Sequence, residues 1–296
     1  MAAKFPSRSE MSSTGDVLLE GGSFFEAPRW HGGRWWVSDF FRHAVISFDP
    51  DGRNVREEVV VEAQPSGLGW APDGSLLVVS MLDHLLLRRA MGSDRIDVIA
   101  DLGEIAGGPC NDMVVDSVGR AWIGNFGFDH FNDGEFSTAC LARVDPDGSV
   151  SVAAEELAFP NGMAVADDGG TLLVGETFAS RITAFRIAGD GRLVDRRVWA
   201  ELPGVFPDGC SLDSAGRLWV ADATGKCCLL IEEGGNIVDR VATPSGLHVF
   251  ACMLGGPAGT TLLMCCAPDS DSHKRARASE AMLVITEVEV PRAGLP

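Results

Sequence analysis

The sequence lacks the features that mark several large protein classes. Its longest apolar runs are far shorter than the roughly 20 residues that a bilayer span requires, so no membrane helix is predicted. None of the eight cysteines forms a Cys-x-x-Cys pair, which favours neither a zinc ribbon nor a secreted disulfide framework. The 24 Lys and Arg residues are outnumbered by 42 Asp and Glu residues. The resulting formal net charge of −18 argues against nucleic acid and anionic membrane surfaces as partners.

The start of the chain also lacks the apolar segment of a signal peptide. Residues 1–16 are largely polar, and we interpret them as a flexible N-terminal leader of a cytoplasmic protein. A serine nucleophile in a Gly-x-Ser-x-Gly turn is missing as well, because the nearest match, Pro65–Gly69, has no first glycine. The sequence therefore does not predict covalent serine catalysis.

What the sequence does contain is a repeat. Six short apolar segments each follow a Gly-containing turn, and they begin at Trp35, Leu76, Ala121, Leu172, Leu218 and Leu262. These starts lie 41, 45, 51, 46 and 44 residues apart. A period of roughly 40 to 50 residues, built from short strands and turns, is typical of one four-stranded propeller blade per repeat. We therefore predict an all-β fold, a six-bladed β-propeller with a central metal site, in which residues 17–296 form a single domain.

The last repeat contains the one long polar insertion. Residues 269–281 are charged, small and aperiodic, so we predict an exposed hairpin loop there, with Lys274, Arg275 and Arg277 in solvent. The strand after this loop would close the ring, and the early run Val17–Leu19 is a candidate to join the same blade.

Four of the six repeats carry an oxygen-bearing side chain at the same place, about ten residues before the apolar segment. They are Glu26, Asn111, Asn161 and Asp208. Blades two and six have Ser66 and Ala251 there instead. Homologous positions at the entry of each inner strand face one another across a propeller channel. Two carboxylates and two amide oxygens match a hard divalent cation, so this ring is a candidate metal site.

Four motifs around these positions identify a resemblance that covers most of the chain, from about Leu18 to Val290. They are Glu-x-Pro-Arg-Trp at 26–30, Asn-Asp at 111–112, Phe-Pro-Asn-Gly-Met at 159–163 and Pro-Asp-Gly at 207–209. Together they resemble the senescence marker protein (regucalcin), gluconolactonase and luciferin-regenerating enzyme family. The resemblance implies a six-bladed propeller that binds one divalent cation and hydrolyses lactones.

The resemblance also implies roles for individual residues. Glu26, Asn161 and Asp208 match the metal ligands of the family, and Asp208 matches its candidate for proton transfer. Asn111 matches a residue that contacts substrate near the metal, and Asp129 falls near an acidic pocket position. The implied cofactor is one divalent cation: Ca²⁺ is preferred, with Zn²⁺, Mg²⁺ and Mn²⁺ as alternatives.

One departure from the family pattern concerns the substrate. Sugar-lactone members have an arginine two residues before the Asn of the second motif, and this chain has Pro109. The strand entries are also rich in apolar side chains, and we predict that Cys110, Phe126 and Phe159 line the pocket together with Asn125 at a strand end.

We therefore predict a gluconolactonase-like carboxylic ester hydrolase that opens a lactone by metal-activated water. Its small-molecule substrate should be less polar than a sugar lactone, and the protein should be a monomer or a weak homo-oligomer. Two alternatives remain open at this point: a metal-dependent isomerase, cyclase or dehydratase on the same scaffold, and a non-enzymatic calcium-binding propeller.

Overall fold

The fold was obtained as a computed structural model that describes residues 15–296, so the predicted leader lies outside the described residues except for its last two positions. The chain forms six antiparallel sheets of four strands each. In five of them the four strands are consecutive in sequence, which is the arrangement of propeller blades. The predicted all-β, six-bladed β-propeller is confirmed.

The strands of blades one to three are β2 (Phe25–His31), β3 (Arg34–Asp39), β4 (Ala44–Phe48), β5 (Arg56–Val60), β6 (Pro65–Trp70), β7 (Leu76–Ser80), β8 (Leu85–Arg89), β9 (Ile96–Asp101), β10 (Cys110–Val115), β11 (Ala121–Asn125), β12 (Ala139–Val144) and β13 (Val150–Leu157). Those of blades four and five are β14 (Pro160–Val165), β15 (Thr171–Glu176), β16 (Arg181–Ile187), β17 (Leu193–Glu201), β18 (Pro207–Leu212), β19 (Leu218–Asp222), β20 (Cys227–Ile231) and β21 (Ile237–Ala242).

Blade six contains both ends of the ring. It combines β22 (His248–Gly255), β23 (Thr261–Ala267) and β24 (Ala281–Glu287) with the first strand, β1 (Asp16–Gly22). β1 pairs with β24 in antiparallel register from Asp16 opposite Ile285 to Gly22 opposite Ala281. The predicted recruitment of Val17–Leu19 into the last blade is therefore confirmed, and the first strand of the chain closes the ring.

Among residues 15–296, helical structure is limited to single turns. The 3₁₀ turns are Phe40–Arg42, His130–Asn132, Thr177–Ala179 and Pro244–Gly246, and the one α-helical turn, α1, is Ser272–Arg275. Within residues 15–296 no helix has both the length and the apolar character needed to cross a membrane.

Burial follows the blade geometry. All six residues of the innermost strand β10 are buried, whereas the outermost strand of the same blade, β13, is mostly exposed or half-buried. The largest fully buried side chains include Trp35, Trp122 and Trp219, which pack in the apolar layers between blades. All eight cysteines are free thiols, and seven of them are buried. Buried thiols of this kind pack as small apolar side chains.

Every innermost strand contains a β-bulge close to the channel mouth. The pairing with the second strand shifts register between Glu26 and Arg29 in β2, and at the corresponding place in β6, β10, β14, β18 and β22. Such a bulge leaves an unpaired residue and re-aims its side chain. In β22 the shift spans Val249 to Ala251, so the unpaired residue is Phe250. The predicted placement of Ala251 at the ring position was therefore wrong by one residue.

The segment between β23 and β24 differs in part from the predicted loop. Asp271 caps α1 by accepting hydrogen bonds from the backbone N–H groups of His273 and Lys274. The Arg275 side chain is buried, at 4% exposure, and donates to Asp269 (3.1 Å) and Glu280 (2.9 Å). The prediction that Arg275 lies in solvent was wrong, because carboxylates of its own loop enclose the guanidinium.

Candidate active site

The bulged ends of the inner strands surround a cavity of about 350 Å³ at one mouth of the channel. The four side chains of the predicted ring, Glu26, Asn111, Asn161 and Asp208, all line it. They come from blades one, three, four and five, so residues up to 182 positions apart in sequence meet at one point. The structure thus brings the predicted metal and catalytic residues together.

Hydrogen bonds orient the amide of Asn161. Its Nδ2 donates to Thr177 Oγ1 (3.3 Å), and the Thr177 hydroxyl donates to the carbonyl oxygen of Pro207 (2.8 Å). Because its nitrogen is engaged, the Asn161 oxygen is the atom available to a ligand. The amide nitrogen of Asn111 is buried and has no hydrogen-bond partner. Such an atom indicates that something absent from the polypeptide completes the site.

Burial and neighbouring charges raise the pKa of both ring carboxylates. Burial raises the pKa of Glu26 to about 8, with repulsion from Asp112 adding to the effect and the hydrogen bond from Ala27 N–H opposing it. Burial also raises the pKa of Asp208 well above its usual value, and the neighbouring carboxylates Glu26 and Asp112 raise it further. Closely spaced buried carboxylates are stable in the ionised form when a cation joins them.

Beneath the ring lies a buried ion pair. Arg29 donates to Asp112 Oδ1 (2.6 Å) and to the carbonyl oxygens of Met113 (2.7 Å), Leu68 (2.9 Å) and Pro28 (2.9 Å), so it joins the inner strands of blades one, two and three. When ionised, the carboxylates of Glu26, Asp112 and Asp208 together with this guanidinium leave two negative charges. One divalent cation would neutralise them.

The donor set therefore fits a hard cation. Within the described part of the chain, no group of three or more His, Cys, Asp and Glu side chains is arranged to hold a metal. A site here would depend on amide oxygens beside the two carboxylates, and this combination is typical of Ca²⁺ or Mg²⁺ rather than of soft metals.

The upper wall of the cavity is aromatic. Phe126 and Phe159, both predicted to line the pocket, stack with ring centroids 4.4 Å apart and planes 19° apart. Phe178 packs on Phe159 at 4.8 Å, and Phe24 packs on Phe250 at the same distance. The phenylalanines that line the cavity are Phe24, Phe40, Phe41, Phe126, Phe131, Phe159, Phe178, Phe206 and Phe250.

Three predicted substrate residues lie beside this wall rather than in it. Cys110 is in the apolar layer between blades, where burial raises the pKa of its thiol to about 12. Asn125 shapes the following turn by donating to Cys140 O (2.8 Å) and accepting from Gly127 N–H (2.9 Å). Asp129 accepts from the side chain of Asn132. None of the three is among the described residues that line the cavity.

Several lining residues were not predicted from the sequence. They share one place in the repeat, directly after the second strand of a blade, where comparison of the six repeats could have found them: Phe40 and Phe41, Thr177, and Ala223 and Thr224. Asp269 and Ser270 follow the second strand of blade six in the same way. His130 stands at the mouth among aromatic rings, and its partial removal from water lowers the pKa of its imidazole.

The model of the SMP-30/Gluconolactonase/LRE-like region matches residues 24–267, a span that contains every ring position and the aromatic wall. The chain belongs to this family. A pentonolactonase from Haloferax volcanii is 28% identical over 242 residues, which cover 78% of this chain and 77% of the relative.

Solved structures of other proteins share the fold. A gluconolactonase from Xanthomonas campestris superimposes with a TM-score of 0.72 at 25% identity, over 91% of this chain and 89% of its own. The calcium-binding protein regucalcin from Agrobacterium tumefaciens gives a TM-score of 0.76 at 19% identity, over 95% of both chains.

Proposed function

We propose that the protein is a divalent-cation-dependent lactonase whose substrate is an apolar, ring-bearing lactone. The observation that carries this proposal is the composition of the cavity. Buried carboxylates and amides form its floor, and nine phenylalanines form most of its wall. The family relatives with the names pentonolactonase and gluconolactonase support ester-ring hydrolysis as the reaction.

Glu26, Asn161 and Asp208 would hold the cation through their side-chain oxygens. When bound, the cation would polarise the lactone carbonyl and make water more acidic. Ca²⁺ is our first choice, supported by the donor set and by the calcium-binding relative regucalcin, with Mg²⁺, Zn²⁺ and Mn²⁺ as alternatives.

The remaining steps fall to the side chains. Asp208 is the candidate to accept the proton of the attacking water, provided that one of its oxygens stays free of the cation. Asn111, with its unpartnered amide nitrogen, can donate a hydrogen bond to the developing oxyanion of the substrate. Hydrolysis would therefore proceed without a covalent enzyme intermediate.

The charge of the cavity restricts the substrate further. Of the described lining residues, the charged ones are Glu26, Asp208 and Asp269, and none is Lys or Arg. A phosphate or carboxylate on the substrate would find no Lys or Arg side chain there to pair with. Pro109 also occupies the position at which sugar-lactone members of the family have an arginine that would contact sugar hydroxyls. An uncharged apolar lactone satisfies both constraints, because its rings can pack on phenylalanine.

The test compares lactones of different polarity. We expect dihydrocoumarin, an aryl δ-lactone, to be hydrolysed with a kcat/KM at least about tenfold above that of glucono-δ-lactone. Burial of a few ring carbons stabilises the bound substrate by more than about 1.4 kcal/mol, which corresponds to a factor of ten. EDTA should abolish turnover and Ca²⁺ restore it. Asp208→Ala should remove activity while the melting curve in EDTA stays cooperative.

A preference for the sugar lactone would contradict the apolar substrate. Full activity after chelation would contradict the cation dependence. Identification of the product by mass spectrometry separates ring opening, which adds one water, from rearrangement, which leaves the mass unchanged.

A further inference from the structure

In four of the six blades, the residue two positions before the ring position forms part of the cavity wall. In blades one, four and five this residue is a phenylalanine: Phe24, Phe159 and Phe206 all line the cavity. In blade six the same position, two before Phe250, is His248, and it also lines the cavity. A titratable ring thus replaces an apolar one at a single place in a repeated wall.

The His248 imidazole is held in one orientation. Its Nδ1 lies 2.8 Å from the carbonyl oxygen of Ala223, and because a carbonyl can only accept, Nδ1 must carry the proton. The ring also stacks on Phe250, with centroids 6.1 Å apart and planes 20° apart. A hydrogen bond from Nδ1 to a backbone carbonyl fixes the tautomer and leaves Nε2 for other chemistry.

This arrangement connects His248 to the blade that carries Asp208. Ala223, which accepts from His248, donates its own N–H to the carbonyl oxygen of Phe206 (3.1 Å), two residues before Asp208. The inner strands β18 and β22 pack directly together: an added Cβ on Gly209 would lie 2.6 Å from the Cβ of Ala251. His248 and Asp208 therefore approach the same cavity from adjacent blades.

Lactone hydrolysis requires two proton transfers at different atoms. The attacking water must lose a proton as its oxygen bonds to the carbonyl carbon, and the ring oxygen must gain one as its bond to that carbon breaks. Asp208 can serve the first transfer. An alkoxide is a poor leaving group, so the second transfer needs a proton donor on another side of the substrate.

We propose that His248 is this general acid, a function that rests on the proposed lactonase activity. Protonated His248 gives its Nε2 proton to the ring oxygen while the carbon–oxygen bond breaks, and the electron pair of that bond stays on the oxygen as a hydroxyl group. Asp208 keeps the proton of the attacking water. His248 then regains a proton from solvent and Asp208 releases one, so the net change is the addition of one water.

The test uses two isomeric lactones that differ in leaving group. Dihydrocoumarin releases a phenol, which departs readily as the anion, and isochroman-3-one releases a benzylic alcohol, which does not. Both contain a six-membered lactone fused to benzene, so binding contacts are closely matched. We expect His248→Gln to lower kcat for isochroman-3-one by about 10²-fold or more, and to change kcat for dihydrocoumarin by less than about threefold.

Two further variants serve as controls. His248→Phe restores the residue that blades one, four and five carry at this position, and it should give the same substrate-dependent loss with the wall packing preserved. His273→Gln removes an exposed histidine in α1 and should leave both activities unchanged. Ca²⁺ affinity, measured by calorimetry, and melting temperature should match the wild type in both His248 variants.

Equal losses with the two lactones, or a rise in KM alone, would overturn the general-acid assignment and leave His248 as a substrate-binding residue. Absence of hydrolysis of both lactones by the wild-type protein would overturn the proposed function and this inference together. The two failures are therefore distinguishable.

Discussion

At the scale of single residues, the candidate site depends on side chains that orient its proposed metal ligands. Thr177 is the clearest example: its hydroxyl accepts from Asn161 and donates to Pro207 O, so it links the inner strands of blades four and five. Partners of this kind fix the direction of a metal ligand, and their loss typically costs 10- to 100-fold in affinity.

We therefore expect Thr177→Val to weaken Ca²⁺ binding by roughly 10- to 100-fold, because the Asn161 amide loses the contact that orients it. Calorimetric titration of the chelator-treated protein measures this change. Thr171→Val, at the opposite end of β15, is the matched control and should bind Ca²⁺ normally. Unchanged affinity in a folded Thr177→Val protein would show that Asn161 is oriented by other contacts.

A second residue-scale prediction concerns pH. Glu176 is fully buried; burial alone would raise its pKa, but hydrogen bonds from Arg181, Thr183 and Ala158 N–H prevail and lower it. Its contribution to stability is therefore present above the unfolded-state pKa of about 4.5 and is lost as pH falls through the lower folded-state pKa.

Glu176→Gln should reduce the free energy of unfolding at pH 7 by about 2 to 3 kcal/mol. This is at or just below the roughly 3 to 5 kcal/mol typical of a broken buried pair, because Arg181 is partly exposed. The deficit should shrink below pH 4. Urea unfolding at pH 7 and pH 3.5 measures both values, with exposed Glu57→Gln as the control. A deficit that is the same at both pH values would contradict the linkage.

At the scale of elements, the repeated bulge determines what the sequence could predict. The ring of Glu26, Asn111, Asn161 and Asp208 was predictable because three motifs place the oxygen side chain directly before a Gly or Asp at a fixed distance from an apolar segment. In blade six no such dipeptide marks the bulge, and Phe250 was missed by one residue. A register shift of one residue exchanges the side chain that faces the cavity, and periodicity alone does not reveal it.

The sequence also did not predict side-chain positions that depend on three-dimensional packing. Cys110 comes directly before the ring position Asn111, yet its side chain packs in the layer between blades, because side chains alternate along a strand. The burial of Arg275 depends on how its own loop folds back, and the composition of that loop indicated only exposure.

Close strand packing gives the element-scale prediction. A Cβ on Gly162 would lie 2.4 Å from Asp208 O and 2.6 Å from Cys210 N, both backbone atoms of the neighbouring inner strand. Gly162→Ala should therefore destabilise the protein by roughly 1 to 3 kcal/mol and weaken Ca²⁺ binding, since β14 and β18 must separate.

Gly189→Ala is the matched control, because a Cβ there meets no atom within 4 Å. Chemical unfolding in EDTA separates the stability effect from the binding effect. Equal stability of the two variants would show that the inner strands can move apart at little cost.

At the scale of the whole molecule, ring closure depends on β1. In the part of the chain that the structure describes, the edge of β24 is covered by this strand alone, from Ala281 to Ile285. Deletion of residues 1–22 should lower the melting temperature by roughly 5 °C or more, which corresponds to a loss of about 2 kcal/mol in the free energy of unfolding. The reason is that the sheet of blade six then has three strands and an unpaired edge.

A synthetic peptide of residues 15–23, added in excess, should recover part of this loss by pairing with the free edge, whereas a scrambled peptide should not. Differential scanning calorimetry reports both effects. A truncated protein that melts at the wild-type temperature would show that contacts between blades close the ring without the strand.

The distribution of side chains around the mouth is as informative as their identity. The turns after the second strand bring Phe40 and Phe41, Phe126, and Phe178 to the cavity in blades one, three and four, whereas blades five and six bring Thr224 and Ser270. A substrate therefore meets an aromatic surface on one side, a hydroxyl-bearing surface on the other and the carboxylates at the floor. A scaffold of near sixfold symmetry thereby holds a substrate in one orientation, and it should hydrolyse one enantiomer of a substituted lactone faster than its mirror image.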